Sequence, residues 1–334
     1  MLGERLERLF ETLADAKEVL ILTHNNPDPD AIASAVALRF MLARELDVKG
    51  RIAYRGIIGR AENKALVRYL GYPLQRLAVS DLRRSVPIAL VDSQPGAGNV
   101  PLSAECSVAI VIDHHPPRET ATNAAFADIR PEAGATSTIL TEYLRAAGVE
   151  PSPPIATALF YGVKSDTMGL IRSTSPADAA AFCYLQSRVD MRALATIEHA
   201  QVPPEYFKSF AVALKEARVY SNVLIADLGV LDYPDLTAET ADALLRLKGI
   251  RWVVCMGTYK DTLILSVRTR NRRGAGQLVQ QVIGEQGTAG GHGVMAGGQI
   301  PLGEQDPVQL VRHLTHRTLQ YLKIPREVQH EGLL

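Results

Sequence analysis

Three short stretches of this chain place carboxylates and imidazoles directly after runs of aliphatic residues. They are His24-Asn25-Asn26-Pro27-Asp28-Pro29-Asp30, Asp92 ahead of Ser93-Gln94-Pro95-Gly96, and Asp113-His114-His115. Taken singly each has a structural explanation. Asp30 stands where an N-cap would open a helix from Ala31, Asp92 could start a turn, and a lone His24 is more often a satisfied core residue. Consecutive His114 and His115 after a buried strand are harder to explain that way. Crowded together, these groups would repel one another or lack solvation unless a cation neutralised them. Asp28 and Asp30, two residues apart in a proline-stiffened loop, can project differently, so two ions could share the loop. Imidazole and carboxylate donors without thiolate suit Mn²⁺, Fe²⁺, Co²⁺ or Zn²⁺ better than Mg²⁺, and Mn²⁺ is the expected ion. A pair of such ions about 3.5–4 Å apart stabilises both oxygens of an in-line phosphoryl displacement. The expected chemistry is phosphate-ester hydrolysis.

For these stretches to meet, the strands before them must lie side by side. In open α/β sheets ligands bind outside the carboxyl ends of the strands. The first half of the chain has the required pattern, Val- and Ile-rich runs alternating with helix-period segments, which reads as a parallel α/β sheet. Strands are expected at Glu18–Thr23, Arg51–Tyr54, Pro87–Val91 and Ser107–Ile112. Helices are expected at Ala31–Leu46, Asn63–Leu70, Thr136–Ala146 and Ile155–Tyr161, and Met1–Leu13 has an amphipathic helical spacing. Pro151, Pro153 and Pro154 read as a helix start. The alternation lapses near Val189–Pro204 and resumes with strands at Val223–Asp227, Trp252–Met256 and Leu263–Val267, a helix near Leu278–Ile283 and a Gly-rich segment. That divides the chain into a domain over 1–188, a linker over 189–205 and a smaller α/β domain over 206–334.

Composition narrows the function further. The 334 residues are 47% hydrophobic, and no apolar run approaches the roughly 18 residues needed to cross a bilayer, so neither a membrane partner nor a signal peptide is expected and the address reads as cytoplasmic. Cys106, Cys183 and Cys255 lack CxxC spacing and are expected to be small, buried and reduced. Lys and Arg total 36 against 36 Asp and Glu, a balance that argues against an extended duplex DNA surface. A short anionic substrate needs only a local basic patch.

The ordered motifs His24-x-x-x-Asp28-x-Asp30, Val91-Asp92, Asp113-His114-His115 and Gly162-Val163-Lys164-Ser165-Asp166-Thr167 resemble those of the DHH phosphoesterase superfamily. The likeness is to its two-domain branch of oligoribonucleases and 3′-phosphoadenosine 5′-phosphate phosphatases. It implies that His24, Asp28 and Asp92 hold one ion and that Asp30, Asp92, His114 and Asp166 hold the other, with Asp92 bridging. Asp113 would orient a histidine, and His115 would lie beside the substrate phosphate, stabilising charge or protonating the leaving oxygen. Asp166 enters only through this resemblance, since an Asp after a helix is ordinarily a solvated terminus.

The second domain resembles the DHH-associated domain, marked here by Gly290-Gly291-His292-Gly293-Val294-Met295-Ala296-Gly297-Gly298. By that likeness Gly290 and Gly291 would cradle substrate oxygens with their backbone, His292 would contact phosphate, and Arg268 would bind substrate, with Arg270, Arg272 and Arg273 extending the basic stretch. The site would be a cleft between the domains. The implied activity is a manganese-dependent hydrolase that releases 5′-mononucleotides from short single-stranded RNA and also takes 3′-phosphoadenosine 5′-phosphate. A homodimer is compatible with this reading. Rival readings are a phosphodiesterase for cyclic dinucleotides or their linear products, an inorganic pyrophosphatase, against which the Gly-Gly-His segment argues, and a nucleotide-binding module with silent chemistry, which should lack a ligand that this chain retains.

Overall fold

A computed structural model describes residues 2–71, 74–82, 85–100, 102, 106–172, 174–271, 273–325 and 331–333, without the side chains at 121, 122, 292 and 331. The chain divides into two compact units, Met1–Ala200 and Gln201–Leu334.

The first unit contains α1 (Leu2–Glu11), β1 (Glu18–Leu22), α2 (Pro29–Glu45), β2 (Lys49–Tyr54), α3 (Ala61–Leu70), β3 (Gln75–Arg76), α4 (Val79–Leu82), β4 (Ile88–Val91), β5 (Ile110–Asp113), β6 (Phe126–Ile129), α5 (Thr136–Ala146), α6 (Pro153–Asp166), α7 (Pro176–Gln186) and α8 (Met191–Glu198). Its sheet is parallel throughout, in the order β3-β2-β1-β4-β5-β6. The order reverses direction between β1 and β4, the crevice where doubly wound sheets bind ligands. Strands β4 and β5 are buried at every position, as a sheet covered on both faces requires. Helix α2 is buried on nearly all sides, its small residues Ala31, Ala33, Ser34, Ala35 and Ala37 permitting close packing with α5 and α6.

Several expectations change here. Helix α2 begins at Pro29, so the N-cap is Asp28, whose carboxylate accepts from Ala31 N at 3.0 Å, and not Asp30. Proline is favoured in the first helical turn because its missing N–H would have had no partner there. Residues 189–205, read as a linker, include α8, which buries Leu194 and Ile197 and packs on α3 and α6. The cysteines are not uniformly buried. Cys255 is buried and Cys106 half-buried, but Cys183 is exposed, because α7 buries Ala181 and Leu185 and turns position 183 the other way.

The second unit contains α9 (Pro204–Glu216), β7 (Arg218–Tyr220), β8 (Val223–Val230), α10 (Leu236–Leu244), β9 (Trp252–Tyr259), β10 (Thr262–Thr269), α11 (Ala275–Ile283), β11 (Thr288–His292), β12 (Met295–Pro301), α12 (Pro307–Tyr321) and β13 (Glu331–Gly332). Its sheet order is β11-β12-β10-β9-β8-β7-β13, with β8 and β9 parallel and the other pairs antiparallel. The Gly-rich segment is a hairpin: His292 pairs with Met295, Gly291 with Ala296 and Gly290 with Gly297. Two of its glycines, Gly291 and Gly298, answer a packing demand. A Cβ on Gly298 would lie 2.0 Å from Ile283 Cδ1 of α11, and one on Gly291 would lie 2.4 Å from Ala296 Cα. Among the described residues no helix is long and apolar enough to cross a membrane.

Candidate metal centre

The loops after β1, β4 and β5 meet at the carboxyl edge of the first sheet, with the end of α6 beside them. Asp92 leaves β4 with φ +57°, a left-handed conformation uncommon outside glycine, while its N–H donates to Ile112 O of β5 at 2.9 Å. The turn points its carboxylate among three imidazoles. His24 Nε2 lies 3.5 Å from Asp92 Oδ2, His114 Nε2 lies 3.5 Å from Asp92 Oδ1, and His115 Nδ1 lies 3.7 Å from the same oxygen. Thr136 Oγ1 donates to Asp92 Oδ1 at 3.0 Å.

The other acids flank this centre on two sides. Asp28 Oδ1 is 3.7 Å from His24 Nε2, and Asp166 Oδ2 is 3.3 Å from His114 Nε2. Asp30, fully buried, receives Thr136 N and Ser137 N, each at 2.7 Å, so the first turn of α5 faces its carboxylate. Helix α6 passes close to this pair through Gly162, where a Cβ would sit 2.3 Å from Ser137 Oγ and 3.2 Å from Asp30 Oδ1. The loop after β1 is pinned by neighbours. Asn26, at φ +56°, donates its N–H to Arg55 O and accepts from Ile57 N on its side chain, and Asn63 Nδ2 donates to Pro27 O.

The imidazole tautomers follow from their partners. His24 Nδ1 lies 2.9 Å from Asn25 O and His114 Nδ1 lies 3.3 Å from Ala133 O. A carbonyl can only accept, so each Nδ1 carries a proton and each Nε2 faces the carboxylates, where an ion could take its lone pair in place of a proton. His114 Nε2 is buried without a hydrogen-bond partner despite the acids near it. Burial works against charged imidazole, but Asp28 and Asp92 outweigh it at His24, and Asp166, Asp92 and Asp30 outweigh it at His114, so both pKa values stand well above the ordinary histidine range. Burial, joined by the charges of Asp92 and Asp166, raises Asp30 well above the carboxylate range, and burial raises Asp166 despite His114. At Asp28, hydrogen bonding and charge from His24 overcome burial and lower the pKa. Protons here do what a cation would do better, and the donor set fits divalent ions. His24, Asp28 and Asp92 form one triad with donor atoms within 4.8 Å of one another, and Asp30, His114 and Asp166 form another.

His115 is distinct. Its Nδ1 donates to Asp113 Oδ1 at 2.8 Å and the ring is 43% exposed, so it reaches outward as His114 reaches inward. The charges of Asp113 and Asp92 raise its pKa against burial, and His115 in turn holds Asp113 low against the same effect. Three residues at the site had no sequence signal of their own. Thr136 and Gln94 touch Asp92 and Asp113 from distant positions. Asp178, fully buried, accepts from Gly134 N, Thr138 Oγ1 and Ser175 and so anchors the segment that carries Ala133 and Thr136.

In the second unit Arg268 lies on β10, only 7% exposed, with Nε donating to Asp242 and Nη1 to Val267 O. Arg270 donates to Leu245 O. Gly290 and Gly291 lie on β11, the outer strand of the sheet. The side chain of His292 and the whole of Arg272 lie outside the described residues.

Comparison with known proteins finds relatives in both sequence and fold. An uncharacterized protein of Methanocaldococcus jannaschii is 39% identical over 303 residues, 90% of this chain and 62% of that protein. A probable manganese-dependent inorganic pyrophosphatase of Deinococcus radiodurans is 31% identical over 159 residues, 47% of this chain and 49% of that protein. This chain thus spans less than two thirds of the length of either relative. In fold it is similar to an exopolyphosphatase-related protein from Bacteroides fragilis, with a TM-score of 0.76, 16% identity and coverage of 95% and 96% of the two chains. Residues 18–163, which carry every proposed ion ligand except Asp166, match the DHH family, N-terminal domain.

Proposed function

We propose that this chain is a metal-dependent phosphoesterase that uses two divalent ions, most simply Mn²⁺, to hydrolyse short single-stranded RNA to 5′-mononucleotides, with 3′-phosphoadenosine 5′-phosphate as a second substrate. The observation that carries the reading is Asp92, whose two oxygens face His24 on one side and His114 on the other. A carboxylate that belongs to the triad with His24 and Asp28 and also faces His114 of the other triad could serve two ions at once. When bound, the ions would supply Lewis-acid stabilisation of the charge that develops on the reacting phosphoryl group.

The chain's own residues do the rest. His24, Asp28 and Asp92 would hold one ion, and Asp30, Asp92, His114 and Asp166 the other. Asp113 fixes the proton of His115 on Nδ1, which leaves Nε2 to hold the proton that passes to the leaving oxygen. In the second unit Arg268, Gly290, Gly291 and His292 would contact substrate phosphates or ribose. The balanced charge favours substrates with few phosphates, since each phosphate gripped needs a cation to replace its counterion.

A second reading, inorganic pyrophosphatase, is favoured by the Deinococcus radiodurans relative. One panel separates the two: purified protein with Mn²⁺ against RNA from dinucleotide to 20-mer, 3′-phosphoadenosine 5′-phosphate, cyclic dinucleotides and pyrophosphate. The expected result is fastest release of 5′-mononucleotides from oligomers of about two to five nucleotides. Preferred hydrolysis of pyrophosphate, or equal rates on 20-mers, would reject the short-oligomer reading.

A further inference from the structure

Gln94 lies in the turn that follows Asp92 and is 1% exposed, yet its carboxamide has partners on both ends. Its Nε2 donates to Asp113 Oδ2 at 2.7 Å and also lies 3.3 Å from His115 O and 3.1 Å from Pro116 O. Its Oε1 accepts from Arg118 N at 2.8 Å. Asp113 accepts three hydrogen bonds among the described residues. Oδ1 receives His114 N at 2.9 Å and His115 Nδ1 at 2.8 Å, and Oδ2 receives Gln94. Asp113 therefore orients His115 only while something fixes the rotation of its own carboxylate, and the side chain on Oδ2 is Gln94.

We propose that Gln94 is a positioning residue that sets the direction of the His115 ring, by locking Asp113 and by clamping the turn from His115 to Arg118 against the end of β4. The inference rests on the phosphoesterase reading, in which a water oxygen bonds to phosphorus, the phosphorus–oxygen ester bond breaks with its electron pair on the leaving oxygen, and His115 Nε2 gives that oxygen its proton. The attacking water releases a proton in exchange, so the ring is recharged over the cycle. Asp92 and Gln94 leave the same strand end, so one short turn registers the proton donor against the metal ligands.

The amide length and the double role are specific to Gln. Methionine has a similar reach but no donor for Asp113 and no strong acceptor for Arg118 N. Glutamate keeps the acceptor but places a carboxylate against Asp113.

The test compares a dinucleotide, whose ribose oxygen must be protonated as it leaves, with thymidine 5′-p-nitrophenyl phosphate, whose phenolate leaves without a proton. Gln94→Met and Gln94→Glu, with His115→Ala as reference, are each assayed for kcat and KM on both esters, for Mn²⁺ content and for thermal midpoint. The expected result is a loss of about 10–100-fold in kcat on the dinucleotide, a much smaller loss on the aryl ester, and unchanged Mn²⁺ content, in either Gln94 variant that keeps its fold. His115→Ala should show the same selectivity. If His115→Ala is selective and the Gln94 variants slow both esters equally or neither, the role of Gln94 is overturned while the phosphoesterase reading stands. If His115→Ala slows both equally, the leaving-oxygen role of His115 falls and the Gln94 proposal falls with it. If the unaltered protein with Mn²⁺ hydrolyses neither ester, the short-RNA reading on which the proposal rests is overturned, and the proposal with it.

Discussion

Asp92 carries two burdens at once. Its left-handed backbone costs on the order of 1 kcal/mol, and its buried carboxylate sits among other acids. Both are stable only because Thr136, Ile112 and three imidazoles surround it. Replacing it should uncouple fold from function. Asp92→Ala is expected to shift the thermal midpoint by only roughly 2–4 °C while abolishing two-ion binding and nearly all turnover, measured by metal analysis and initial rates on one preparation. An Asp92→Ala protein that keeps both ions and most of its activity would remove Asp92 from the centre. The residues that spacing alone could find were those following an aliphatic run, because a strand end announces where its next side chains emerge, whereas Asp166, at the end of α6, came only from the resemblance. Gln94, Thr136 and Asp178 could not be found that way, since each acquires its role from a partner 19, 44 or 44 positions distant.

Helix packing makes the centre, and Gly162 shows how. A glycine inside a helix normally costs about 1 kcal/mol against alanine, so Gly162→Ala ought to stabilise α6 by helix propensity alone. The new Cβ would instead meet Ser137 Oγ and crowd Asp30 Oδ1. The overpacking cost of about 1–3 kcal/mol should dominate. We expect Gly162→Ala to lower the thermal midpoint and weaken Mn²⁺ binding, and Ser137→Ala in the same chain to restore part of both. A Gly162→Ala protein that is more stable and binds Mn²⁺ as before would show that α6 does not set the position of Asp30. Strands β1, β2, β4, β5, β8, β9 and β10 and helices α2, α3, α5, α6 and α11 were legible in the sequence, whereas α7 and the 15-residue α12 were not. The two-residue β3 was too short to register, and β6, no shorter than β4 and β5, alternates buried and exposed positions instead of forming an apolar run. The glycines at 290–298 read as a substrate cradle, and that Gly298 also admits α11 and Gly291 the facing strand is visible only in the tertiary packing.

At the scale of the whole molecule, all six proposed ion ligands, from His24 to Asp166, come from the first unit, while Arg268 and His292 belong to the second. The charge balance of 36 against 36 conceals a local concentration of acid in the first unit, which composition alone could not reveal. The division of labour implies that Arg268→Ala and His292→Ala should weaken substrate use without changing metal content. The most direct test of the account is the electron paramagnetic resonance spectrum of the full chain titrated with Mn²⁺. A bridging Asp92 predicts two ions per chain with the multiline spectrum of an exchange-coupled pair, unchanged in Arg268→Ala and His292→Ala and lost in Asp92→Ala. One ion per chain, or two whose spectra show no coupling, would contradict it.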